Sequence, residues 1–88
     1  MNKKERFYKL YKSFMDNGAN YIGVYIKTPS MKEEELVINP VVNVDKKLSY
    51  YMSVYDEDMR LISINSIQVV AITAGLYFED LEDNRIDL

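Results

Sequence analysis

Apolar and charged side chains alternate over the first sixteen residues with the period of an α-helix. The apolar positions recur at spacings of three and four residues, and lysines occupy the opposite side. These apolar positions are Phe7, Leu10, Tyr11 and Phe14. Gly18 can adopt the left-handed conformation that ends many helices. The pattern therefore predicts an amphipathic helix over residues 3–16.

Two runs with the two-residue period of strands come next. In residues 20–27, one face carries Ile22, Val24 and Ile26, and the other carries Tyr21, Gly23 and Tyr25. The second run covers residues 35–39 and is stopped by Pro40, because proline cannot donate to a strand ladder. These runs predict a hairpin with a long polar loop.

The segment 43–55 fits two periods. A helical face spans eleven residues, with Asn43 as N-cap, and consists of Val44, Leu48, Tyr51, Met52 and Tyr55. Residues 48–55 also alternate as a strand would, but over only eight positions. We interpret the segment as a helix, because its match is longer and includes a cap.

Further strands are predicted at residues 59–64 and 67–73, with a tight turn at Asn65-Ser66. The last of these strands is apolar on both faces, which is typical of a strand that is central or covered on both sides. Residues 76–81 predict one short helix, and residues 79–88 read as a frayed acidic tail.

The predicted order is α-β-β-α-β-β, so the fold class is α+β, with one domain over residues 1–88. We expect a four-stranded, mainly antiparallel sheet with helices on one face. If residues 48–55 were a strand, one helix would precede five strands, as in a small Sm-like barrel. The glycine and aspartate pattern of Sm proteins is not evident in the early strands.

The 88 residues include no Cys, His or Trp. A thiolate nucleophile, an imidazole base and a Cys/His zinc site are therefore excluded. The acidic run Asp56-Glu57-Asp58 lacks the ligand spacing and the glycine of a calcium loop, so it reads as a solvated turn. We predict no cofactor, no metal and no enzymatic activity, because no polar constellation converges in so short a chain.

The N-terminus lacks the uninterrupted apolar stretch of a signal peptide. The longest mostly apolar run, residues 67–76, covers about ten residues and is too short to cross a bilayer. We therefore expect a cytoplasmic protein with no membrane contact.

Charge is distributed unevenly along the chain, whose net formal charge is −3. Residues 1–13 carry +4, and residues 56–88 carry −6. The overall acidity disfavours nucleic-acid binding, since such binding needs a basic footprint.

Tyrosines form the first candidate binding surface, because they combine a large contact area with a polar end. The candidates for partner contact are Tyr21, Tyr25, Tyr51 and Tyr55. If helices cover the aliphatic sheet face, the rings at positions 21 and 25 stand on the open face. The alternative is that individual rings fill the edges of a small core.

The acidic end forms the second candidate surface, with Glu79, Asp80, Glu82 and Asp83. A row of carboxylates can imitate a phosphate backbone and occupy a groove in another protein. The alternative is a solvated tail that aids solubility. We interpret the basic side of the first helix as the solvent-exposed face of an amphipathic helix.

The stretches NGANYIGVYIKTP and ELVINPVVNVDKKLSYYMSVYDEDMRL resemble small accessory proteins of phages and prophages from low-GC Gram-positive bacteria. That resemblance implies an interaction module that acts on a host or defence protein. A homodimer is plausible too, because the doubly apolar last strand would be costly to leave open. The alternative function is single-stranded nucleic-acid binding by an Sm-like barrel, through Tyr21, Tyr25 and the basic first helix.

Overall fold

The computed structural model describes residues 1–30, 32–40 and 44–88. Its elements in chain order are α1 (Lys3–Asp16), β1 (Tyr21–Lys27), β2 (Glu35–Pro40), α2 (Val44–Val54), β3 (Gln68–Gly75), a 3-10 helix (Phe78–Asp80) and β4 (Ile86–Asp87). The helical interpretation of residues 44–54 is confirmed, so the five-stranded barrel is wrong. The predicted N-cap Asn43 lies outside the described residues.

Side chains and backbone at both ends of α1 explain its limits. Asn2 Oδ1 accepts a hydrogen bond of 2.8 Å from the Glu5 N–H, which satisfies one of the free donors of the first turn. At the other end, Gly18 has φ +78°, a conformation that most residues avoid. The boundaries predicted from the sequence are confirmed.

The four strands form one antiparallel sheet in the order β2-β1-β3-β4. The predicted hairpin of β1 and β2 is confirmed, with Gly23 opposite Ile38. On its other side, β1 pairs with β3, and the register shifts between Tyr25 and Ile26. The doubly apolar β3 is indeed central. The α+β class with a four-stranded antiparallel sheet is confirmed.

The strand predicted at residues 59–64 is wrong. Met59 has φ 56°, in the left-handed region, which interrupts any extended ladder. The segment forms only two isolated bridges, Tyr55 with Leu61 and Arg60 with Gln68. The fourth strand is instead β4, which lies in the segment expected to fray, and it pairs with β3 at Ala71 and Ile72.

The main core joins side chains of α1 and α2 to one face of the sheet. It contains Phe7, Tyr11, Ile22, Val24, Leu48, Tyr51, Tyr55, Met59, Val69, Ile72 and Ala74. Phe7 and Tyr51 meet edge to face, with ring centroids 5.2 Å apart. Five other apolar side chains that we expected in the core pack against it and are only partly buried: Leu10, Phe14, Ile26, Met52 and Leu61.

Candidate functional site

The second sheet face is covered by residues 76–88, which we call the C-terminal segment. Leu81 is 1% exposed, and its carbonyl accepts a hydrogen bond from the buried Thr73 hydroxyl. Asn84 Nδ2 donates to the Ala74 carbonyl at 2.9 Å, and the Leu88 N–H donates to the Val70 carbonyl at 3.0 Å. The expectation of a frayed tail is therefore wrong.

Arg85 links the C-terminal segment to β1 and to the start of β2. Its guanidinium lies 4.5 Å from the centre of the Tyr25 ring, within cation–π distance. It also forms salt bridges with Glu34, near the start of β2, and with Asp87. The hydrogen bond from Arg85 holds the pKa of Glu34 below its ordinary value.

Three of the four tyrosines predicted to contact a partner lie in the interior. Tyr25 is 8% exposed beneath Arg85, and Tyr51 and Tyr55 are each 3% exposed. Burial raises the pKa of each of these three hydroxyls. The prediction of an accessible tyrosine face is wrong. The C-terminal segment covers the Tyr25 ring, and the rings of Tyr51 and Tyr55 belong to the main core.

The fourth tyrosine is half-buried and lies beside a more exposed ring. Tyr21 meets Phe78 edge to face, with centroids 6.3 Å apart. Phe78 belongs to an exposed apolar ridge that also contains Leu76 and Tyr77. The exposed fractions are 55% for Leu76, 66% for Tyr77 and 60% for Phe78. This ridge was not predicted as a binding surface, although three large apolar residues directly after Gly75 were the available signal.

A groove of about 300 Å³ lies between β2 and the C-terminal segment. We call it the acidic groove, and it is lined by Leu36, Ile38, Phe78, Glu79, Leu81 and Glu82. Its lining combines four apolar side chains with two carboxylates. Such a surface can hold an apolar side chain and attract a neighbouring cation.

All four acidic residues predicted to contact a partner are exposed. Glu79 and Glu82 line the acidic groove. Asp80 and Asp83 lie on the same segment, one position after each of them. Within the described part of the chain, none of the four forms a salt bridge. The structure therefore places two of the four predicted acidic residues, Glu79 and Glu82, at an apolar depression.

A second groove, of about 320 Å³, lies between α1 and α2. We call it the basic groove, and it is lined by Lys4, Glu5, Tyr8, Lys9 and Met52. Tyr8 is 44% exposed, whereas Lys4 Nζ donates to the Tyr55 carbonyl at 2.7 Å. This groove offers an aromatic ring beside lysines.

The acidic run at residues 56–58 forms a turn, as its composition indicated. Asp56 Oδ1 accepts hydrogen bonds of 2.9 Å from the backbone N–H groups of Asp58 and Arg60. Asp58 forms salt bridges with Lys3 and Arg60. Within residues 1–30, 32–40 and 44–88, no group of three or more acidic side chains is arranged to hold a metal ion.

Comparison of the chain with protein-family models, with curated proteins and with solved structures gives no match. Among the helices that the structure describes, none has both the length and the apolar character needed to cross a membrane.

Proposed function

We propose that this chain is a non-enzymatic, cytoplasmic protein–protein interaction module that binds its partner through the acidic groove and the adjoining apolar ridge. The observation that carries the proposal is the acidic groove itself, where Glu79 and Glu82 border an apolar lining. The partner surface that fits is basic and carries a protruding apolar side chain.

The exposed ridge supports this proposal. Leu76, Tyr77 and Phe78 are adjacent, and each is more than half exposed. Exposed apolar patches of this kind are typical of protein-binding surfaces, and aromatic side chains are enriched in them. The neighbouring carboxylates would orient a basic partner and accelerate its encounter with the groove.

The resemblance to phage accessory proteins supports a host or defence protein as the partner. The charge of the site also favours a protein over a nucleic acid, because exposed carboxylates repel phosphates. Under this proposal, the four tyrosines first predicted to contact a partner instead stabilise the fold. The aromatic side chains that contact the partner are Tyr77 and Phe78.

Affinity capture from a lysate of the encoding cell tests the proposal. The parent chain is compared with a Tyr77→Ser/Phe78→Ser variant and with a matched Ile62→Ser/Ile64→Ser control, which removes exposed apolar side chains from another loop. We expect a protein that is enriched by the parent and the control but lost with the ridge variant.

Each variant is first checked for cooperative unfolding, so that loss of capture reports on the surface. If the ridge variant captures the same proteins as the parent, the ridge is not the binding surface and the proposal fails.

A further inference from the structure

We infer that the acidic groove binds the basic groove of a second copy of this chain, so that copies associate head to tail. This inference rests on the proposed function, because it adds a second occupant, another copy of this chain, to the same acidic groove. Both grooves belong to every copy, and they are built from different elements.

The two sides carry opposite formal charges. The helices α1 and α2 together contain seven basic and three acidic residues, a formal charge of +4, and one of the seven, Lys3, is paired with Asp58 outside the helices. The C-terminal segment contains five acidic residues and Arg85, a formal charge of −4. Because Arg85 is paired with Glu34 and Asp87, it does not neutralise the carboxylates of the acidic groove. The two surfaces therefore attract each other.

The basic groove also has unused cations at its border. Lys9 is exposed, and Lys12 lies one turn further along α1. Neither forms a salt bridge within the part of the chain that the structure describes. Among the described residues that line this groove, Glu5 is the one carboxylate. Lysines in this position can meet Glu79 and Glu82 of the next copy.

The apolar parts of the two grooves are complementary as well. Tyr8 projects an exposed ring from the basic side, while the acidic groove is lined by Leu36, Ile38 and Leu81. In the assembly, the ring of one copy enters the acidic groove of the next and packs beside Phe78. Aromatic side chains that enter apolar depressions are typical anchors of protein interfaces.

This assembly differs from the homodimer suggested by the doubly apolar strand. Within one copy, the C-terminal segment already covers the second sheet face, so β3 requires no partner. A contact between two different surfaces is heterologous, and repeated use of it generates a ring or an open chain of copies. We therefore expect a series of oligomers whose size grows with concentration.

Sedimentation velocity of the purified chain over a wide concentration range tests this inference. The first variant is Lys9→Glu/Lys12→Glu, and the second is Glu79→Lys/Glu82→Lys. Each reverses one surface, so that both grooves of that variant carry the same sign. We expect each variant alone to associate at least about tenfold more weakly than the parent.

An equimolar mixture of the two variants provides the decisive arm. In the mixture, the two reversed grooves have opposite charges, and so do the two unchanged grooves. Both kinds of contact are therefore complementary, and the mixture should recover association to within about threefold of the parent. The control Lys27→Glu/Lys32→Glu makes the same charge change as the first variant at positions that line neither groove, and it should associate like the parent.

Two results would overturn the inference: a parent chain that stays monomeric at every concentration, or variants that associate as the parent does. These results leave the proposed function intact, because the capture experiment judges that function independently. Capture that depends on Tyr77 and Phe78, together with a monomeric purified chain, would show that the partner is a different protein.

Discussion

Gly23 lies where β1 passes closest to both of its neighbours. A Cβ at this position would be 2.8 Å from Leu36 Cδ1 and 2.9 Å from Thr73 Cγ2. Both contacts are too short for carbon atoms, whose best separation is about 3.5–4.0 Å. The glycine therefore permits the side chains of β2 and β3 to approach each other over β1.

We expect Gly23→Ala to destabilise the protein by about 1–3 kcal/mol, the usual cost of overpacking. Urea unfolding measures this change. The matched background is Thr73→Ser, which removes Cγ2 but keeps the hydroxyl that donates to Leu81. Gly23→Ala should cost less in that background. An equal cost in both backgrounds would show that the Thr73 methyl is not the obstacle.

Asp56 organises the turn that replaces the predicted strand at residues 59–64. Its carboxylate accepts from two backbone N–H groups, so Asp56→Ala should destabilise the protein by about 1–2 kcal/mol. Asp56→Asn retains an acceptor oxygen and should lose less. The comparison uses urea unfolding, with exposed Glu57→Ala as the control. Equal stability of the alanine variant at position 56 and the parent would contradict this role.

At the scale of elements, the C-terminal segment is held by one deeply buried side chain. Leu81 is 1% exposed, so Leu81→Ala should cost about 2–5 kcal/mol of unfolding free energy. Leu76→Ala changes the same residue type at an exposed position of the same segment and should cost little. If the two variants are equally stable, the segment does not contribute to the folded state.

The same segment shows where sequence patterns are sufficient and where they are not. The first helix, the hairpin and α2 could be predicted because their apolar periodicity extends over many residues. Leu81, by contrast, is one apolar residue among carboxylates, with no repeat to mark it. Its burial depends on the second sheet face, which includes Gly23 and lies far away in sequence.

The candidate site could be predicted only in part, for the same reason. The acidic residues were selected by their charge, and the structure leaves them exposed. Tyr25 was assigned to an open face because the covering Arg85 lies sixty positions later in the chain. Strand alternation assigns a side chain to a face, but tertiary contacts decide what covers that face.

For the whole molecule, buried tyrosines make stability depend on alkaline pH. Burial raises the pKa of Tyr55 from 10.0 to about 12, and Tyr50 and Tyr51 add to the shift. The pKa of Tyr11 is raised as well, mainly by burial. The unfolded chain loses these protons first, so stability is fully present below pH 10.0 and falls as the pH rises towards 12.

Urea midpoints between about pH 8 and about pH 12 measure this loss. Tyr55→Phe removes one of the shifted hydroxyls and should make the decline shallower. The exposed Tyr77→Phe is the control, and its decline should match that of the parent. A Tyr55→Phe profile as steep as the parent's would contradict the assignment.

The covering of the second sheet face by residues 76–88 also bears on synthesis at the ribosome. Residues 3–75, which form both helices and three of the four strands, leave the ribosome before Leu81 and Arg85. During that interval the second sheet face, with Gly23, Leu36 and Ile38, lacks the cover that residues 76–88 provide. A nascent chain at this stage presents the kind of apolar strand surface that promotes misassembly, and the emergence of residues 76–88 ends that exposure.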